Sequence, residues 1–150
     1  MTPPSASQPA PRRAIGVFCV DDNQMLAEAI QRRLALEHDF RWAGWVGGFE
    51  TAVRAVVAAE PDVVMLDIDM PGGDSFDLVR ELGEAAPASR VVMFSGHVRG
   101  EYIDKAVDSG AWGYLSKNES LEEVLEAIRR VAAGEFVTTS EVRQEQLRQP

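Results

Sequence analysis

From residue 15 onward, short apolar runs alternate with stretches of helical periodicity, and this alternation limits the folds open to the chain. Ile15-Gly16-Val17-Phe18-Cys19-Val20 is apolar and stops at Asp21-Asp22. Val63-Val64-Met65-Leu66 stops at Asp67, Val91-Val92-Met93-Phe94 at Ser95-Gly96, and Trp112-Gly113-Tyr114-Leu115 at Ser116-Lys117. Short unbroken apolar runs suit strands covered on both faces, as in the middle of a parallel sheet. A weaker strand, with aromatics and a break at Gly44, is predicted over 40–46.

Between the runs, apolar residues recur every three or four positions, the mark of an amphipathic helix. Leu26, Ala29, Ile30 and Leu34 predict a helix over 23–36, and Ala52, Val53, Val56 and Val57 one over 49–59, stopped by Pro61. Phe76, Leu78, Val79 and Leu82 predict a third, capped by Asp74 or Ser75 and ended by Pro87. A less apolar helix is predicted over 99–109, closed by Gly110. Leu121, Val124, Leu125, Ile128 and Val131 form the last stripe; Ser120 caps it, Glu123 completes a capping box, and Gly134 ends it. Five strands alternating with five helices imply an α/β fold, and right-handed crossovers make it a doubly wound parallel sheet. The expected organisation is a flexible leader over 1–13, a domain over 14–133, and a C-terminal tail or start of a linker over 134–150. Within that last segment, 140–148 forms a short helix or hangs free.

The formal net charge of -9 opposes a nucleic-acid surface on this chain, because phosphate contacts need an excess of Lys and Arg. Cys19 is the single cysteine, so no internal disulfide forms, as suits a reducing cytoplasm. No apolar stretch approaches the ~20 residues of a membrane helix. The proline-rich start has no apolar core of a secretory signal.

Ligands of open parallel sheets bind at the carboxyl ends of the strands. There the predicted order gathers Asp21 and Asp22, Asp67, Ser95 and Lys117. Three acids pressed together repel unless a cation joins them, and magnesium takes such oxygen ligands beside a phosphate. A carboxylate is also a competent nucleophile toward phosphorus, giving an aspartyl phosphate. Lys117 would then neutralise charge on the transferred group and Ser95 would donate a hydrogen bond to it. Each residue has an ordinary reading when taken alone: Asp21-Asp22 as a helix cap, Asp67 as a turn cap, Ser95 as a loop serine, Lys117 as a solvated amine. Their placement at successive strand ends is what argues for a site.

Four motifs carry a resemblance: Val20-Asp21-Asp22-Asn23, Leu66-Asp67-Ile68-Asp69-Met70-Pro71, Phe94-Ser95-Gly96, and Gly110-Ala111-Trp112-Gly113-Tyr114-Leu115-Ser116-Lys117. In this order, each after an apolar strand, they resemble the receiver domain of two-component response regulators. The Gly-Tyr-Leu-Ser-Lys run is most similar to regulators of the nitrate-response DNA-binding class. The resemblance implies a flavodoxin-like (βα)5 sheet of strand order 2-1-3-4-5, with Asp67 as phosphoacceptor. It implies Mg2+ held by Asp21, Asp22, Asp67 and the backbone carbonyl of Asp69, with Lys117 and Ser95 contacting the phosphoryl group. Ser95 and Tyr114 would be the switch pair, Tyr114 turning inward as Ser95 moves toward the phosphoryl group. Asp69 and His97 sit at the pocket mouth, where the family tunes phosphoryl lifetime. The implied partners are a sensor histidine kinase or phosphotransfer protein, and then a second copy of the chain or a downstream protein. The chain would catalyse only its own phosphorylation and dephosphorylation.

Asn118 follows Lys117 where the family often has proline, which implies a trans bond and a reshaped loop. Ser75 stands where many receivers have glycine. Two other functions remain open on sequence. Asp67-Ile68-Asp69 resembles the Asp-x-Asp of haloacid-dehalogenase-type phosphatases, although those place it near the chain start, ahead of their acidic pair. A non-phosphorylated pseudo-receiver used for docking is the other, opposed by the intact acids, Ser95 and Lys117.

Overall fold

The computed structural model describes residues 13–148. Apart from Arg13, the leader expected over 1–13 lies outside them. The elements run β1 (Ile15–Val20), α1 (Gln24–Leu34), β2 (Phe40–Val46), α2 (Ala52–Ala59), β3 (Val63–Leu66), α3 (Ser75–Ala85), β4 (Arg90–Ser95) and α4 (Gly100–Ser109). They continue with β5 (Gly113–Ser116), α5 (Leu121–Ala132), β6 (Val137–Thr138) and α6 (Ser140–Arg148). All neighbouring strands are parallel, in the order β2-β1-β3-β4-β5-β6. The first five places match the order the resemblance implies, and the sixth strand extends it.

Side chains alternate across a strand, so each apolar run supplies both faces of the sheet. Phe18, Val20, Val64, Leu66, Val91, Met93 and Tyr114 face one side, covered by α2, α3, α4 and Val142 of α6. Val17, Cys19, Val63, Met65, Val92, Phe94 and Leu115 face the other, covered by α1 and α5. This two-sided burial is why the central runs are unbroken. Edge strand β2 is only partly buried, apart from Phe40. It bulges where the register shifts opposite Val17 and Phe18. Gly44 sits in the bulge at φ +143°, where a Cβ would come within 2.8 Å of the Phe18 ring. Glycine relieves both the backbone strain and the clash.

Three local expectations change. Helix α2 begins at Ala52 rather than residue 49, and the Phe49 ring instead lies against Gly73. The expected capping box at α5 is half formed. Ser120 accepts from the Glu123 amide at 3.1 Å, whereas the Glu123 carboxylate turns to the Ser140 amide and hydroxyl at 2.9 and 2.7 Å. The segment expected as a tail or the start of a linker is structured as far as Arg148, because Val137 and Val142 are buried and β6 pairs with β5. A stretch with so few apolar residues folds because two of them, Val137 and Val142, land in cores that the earlier elements have already built.

Arg129 of α5 closes the sheet's far side on the chain before β2. Its guanidinium donates to both Asp39 oxygens, at 2.7 and 3.2 Å, and covers the Phe40 ring at 4.9 Å. The Arg129 hydrogen bond holds the Asp39 carboxyl below its usual range. A folded-state pKa below the unfolded value adds stability above the unfolded value and loses it as pH falls through the folded one. Asp39→Asn should therefore lower the unfolding free energy from urea denaturation at pH 7 slightly, by less than about 1 kcal/mol because the pair is partly exposed. The difference from wild type should narrow as pH falls below the ordinary Asp value of about 4 and close once it passes the lowered folded-state pKa.

Candidate functional site

The register places the acids. Val20 of β1 pairs with Leu66 of β3, so the next residues, Asp21 and Asp67, leave the sheet at one level. Their amides complete the ladder, Asp21 donating to Val46 O at 3.1 Å and Asp67 to Val20 O at 2.9 Å. One carboxylate oxygen each from Asp21, Asp22 and Asp67 lie within 4.8 Å of one another; Asp21 and Asp67 are buried and Asp22 is exposed. Lys117, just past β5, reaches in from the other side. Its Nζ is 2.8 Å from Asp21 Oδ2 and 3.4 Å from Asp67 Oδ1.

Burial raises the Asp67 pKa, the Asp21 charge raises it further, and Lys117 opposes both. Burial alone would lower the Lys117 pKa, but its hydrogen bond to Asp21 and the two carboxylates outweigh that and hold the ammonium protonated. One ammonium therefore faces three acids. Such an oxygen-only donor set, short of positive charge, fits a hard divalent cation such as magnesium.

Backbone ties fix the two buried acids. The Ser75 hydroxyl, itself buried, donates to Asp67 O at 2.6 Å and to Ile68 O at 3.2 Å. The Trp45 indole N–H donates to Asp21 O at 2.7 Å. Side-chain oxygens of Asp21 and Asp67 accept from the amides of Asn23 and Asp69 at 2.9 and 3.3 Å. Ser75→Ala would strip the Asp67 carbonyl of a buried donor. The expected loss is about 1–2 kcal/mol of unfolding free energy, read by urea denaturation.

Ser95 ends β4, fully buried, and its Oγ accepts from the His97 amide at 3.0 Å while its carbonyl accepts from the Lys117 amide at 2.8 Å. His97 Nδ1 meets Asp69 Oδ2 at 2.5 Å in an exposed pair at the mouth. The Tyr114 ring lies inside, with no exposed surface, and its hydroxyl donates to His97 O at 2.5 Å. On sequence the ring is expected to arrive there when Ser95 moves; here the His97 carbonyl already satisfies its buried hydroxyl. Burial raises the Tyr114 pKa far above its ordinary value and keeps the hydroxyl a donor. The Lys117–Asn118 bond is trans, since no cis peptide bond occurs among the described residues.

Residues 17–129 match the family model of the response regulator receiver domain. The chain belongs to that family. Among curated proteins, this receiver is 33% identical to the uncharacterized transcriptional regulatory protein YvfU of Bacillus subtilis over 85% of its length and 64% of YvfU. It is 30% identical to the nitrate/nitrite response regulator NarL of Escherichia coli over 81% of the chain and 56% of NarL. The chain thus spans somewhat more than half the length of these relatives. Among solved structures, the receiver domain of the putative NarL of Mycobacterium tuberculosis superposes with a TM-score of 0.76 at 27% identity, covering 82% of this chain and 99% of that one. A LuxR-family regulator from Aurantimonas superposes at 0.82 and 24% identity, over 88% and 94%, a likeness of fold. The family is regulatory, and the phosphatase reading gives way to it. Among the described residues no helix is long and apolar enough to cross a membrane.

The support that Ser75 and Trp45 give to the receiver's acids is not legible in the sequence. Sequence offers Asp74 or Ser75 as the cap of α3, and the structure gives that place to Asp74, whose Oδ1 accepts from Phe76 N and Asp77 N at 2.8 and 3.2 Å. A tryptophan at a strand's end gives no sign of which carbonyl its N–H will find.

Proposed function

We propose that this receiver accepts a phosphoryl group on Asp67 from a histidine kinase or phosphotransfer protein and uses it to switch a protein-contact surface. The observation that carries the reading is one ammonium, Lys117, placed against two buried carboxylates beside a third. Asp67 is the acceptor because it is buried, sits just past the end of the central strand β3, and has its backbone held by Ser75. An Asp67 oxygen forms the bond to phosphorus. The bond from phosphorus to the donor's nitrogen, or to the leaving oxygen of acetyl phosphate, breaks, and the leaving group keeps the electron pair. Asp21, Asp22, Asp67 and the Asp69 carbonyl would hold Mg2+, which supplies positive charge for the phosphoryl oxygens. Lys117 and Ser95 orient and neutralise the transferred group.

The added charge of about -1.5 to -2 draws on donors the resting site already uses. Ser95 Oγ holds the His97 amide, and the His97 carbonyl holds the Tyr114 hydroxyl. Moving Ser95 therefore disturbs the loop that keeps Tyr114 in place, and the populations of two arrangements shift. Asp69 and His97 form the exposed pair through which the donor's group and water must pass. The receiver turns over only its own acyl phosphate, works in the cytoplasm, and hands its state to a second copy or a downstream protein rather than to nucleic acid.

The test is incubation with acetyl phosphate and Mg2+, read by intact mass and by sizing. A gain of one phosphoryl group that needs Mg2+ supports the reading; no gain at saturating donor returns the chain to a docking module without phosphorylation.

A further inference from the structure

The β6–α6 unit is built into the phosphoacceptor site from behind. Lys117 reaches the acids from the loop between β5 and α5, and the last residue of β5 and two residues of that loop are held by the C-terminal segment. The buried Ser116 hydroxyl donates to Glu141 Oε2 at 2.7 Å, and the Ser116 amide donates to Thr139 Oγ1 at 3.0 Å. Asn118 Nδ2 donates to the same Glu141 oxygen at 3.2 Å. Glu119 Oε1 accepts from the Glu141 amide at 2.8 Å. One residue of α6 thus contacts the loop immediately before and immediately after Lys117.

The same segment touches Tyr114. Tyr114 pairs with Thr138 across β5 and β6, and the Thr139 amide donates to Tyr114 O at 3.3 Å. Val142, fully buried, joins the core cluster that contains Tyr114, Ile103, Ala106 and Ala111. Helix α6 therefore covers the face between α4 and β5 while gripping the lysine loop. Two elements that share a loop and a core cannot rearrange independently.

We propose that Glu141 is a positioning residue for Lys117, and that docking of α6 and occupancy of the phosphoacceptor site are energetically coupled. The proposal rests on the reading of Asp67 as acceptor and adds the device that reads it. Without Glu141 the buried Ser116 hydroxyl loses its acceptor, the loop loosens, and the Lys117 ammonium is less well held over Asp67. By linkage, whatever the site gains from a docked α6, α6 gains or loses from an occupied site by the same factor.

The experiment titrates the full chain with beryllofluoride and Mg2+, followed by the fluorescence of the tryptophans. Glu141→Ala and Val142→Ala should each weaken binding by about fivefold or more. Glu141→Gln keeps an acceptor for Ser116 and should recover most of the loss. Leu147→Ala, on the exposed face of the same helix, should bind as wild type does. Amide exchange over residues 137–148 of the wild-type chain, which needs no variant, should change by a factor of several on saturating the site. Equal affinities across the set, an equal loss in Leu147→Ala, or α6 exchange indifferent to saturation would each overturn the coupling while leaving Asp67 as acceptor. A wild-type chain that takes up no beryllofluoride at all would remove both.

Discussion

Asp67→Asn should abolish the mass gain from acetyl phosphate and Mg2+ and, at the same time, make the fold more stable. The first effect is total, because an amide cannot form the acyl phosphate. A gain that persists in the variant would move the acceptor to another residue. The second effect follows from the site's charge. Burial and the Asp21 charge raise the Asp67 pKa in the folded chain. A carboxyl with a folded pKa above its unfolded value penalises the fold at pH above both, and the penalty vanishes once pH falls below the unfolded value. Without Mg2+ at pH 7, Asp67→Asn should raise the melting temperature by roughly 2–4 °C. That advantage should disappear below pH ~4. A variant that melts lower than wild type at neutral pH would mean that the three acids do not strain one another.

Lys117→Ala should be the most destabilising single change at the site. Its ammonium is the only cationic nitrogen within ion-pair distance of Asp21 and Asp67 among the described residues. Removing it leaves two buried carboxylates uncompensated, which should cost about 2–4 kcal/mol in urea denaturation without Mg2+. Adding Mg2+ should return part of that loss, because a divalent cation can satisfy the same oxygens. Labelling by acetyl phosphate should slow by about 100-fold, the scale on which one preorganised electrostatic group acts. Loss of stability without loss of labelling rate would make Lys117 a structural counter-ion and nothing more.

The sequence exposed most of this because the chemistry lies where the periodicity breaks. Each strand from β1 to β5 other than the edge strand β2 is a largely apolar run that ends on or just before a polar residue, and in a parallel sheet those ends meet. Asp21, Asp22, Asp67 and Lys117 are therefore placed together by the order of the strands, before any side-chain geometry is known. The supports of the site are not legible in the same way. Ser75 and Trp45 act on backbone carbonyls, and no side-chain pattern says which carbonyl lacks a donor. Glu141 lies in a polar stretch whose few apolar residues give no helical stripe of their own. Val142 is decisive there, but its burial depends on a cleft beside β5 that only the assembled sheet provides. Tyr114 is legible by type and place, while the packing that surrounds its ring and the His97 carbonyl that its hydroxyl meets are not.

The two-residue strand β6 also has a bearing on how this protein behaves at high concentration. A parallel sheet ends in strands with unpaired amides and carbonyls, which invite another chain to add itself. Here one border is bulged at Gly44 and the other is only Val137 and Thr138, too short to serve as a template. A version of the chain stopped at residue 133 would instead present the fully buried Gly113–Ser116 ribbon to solvent. Such a truncation should precipitate or self-associate, even though every acid of the site would still be present.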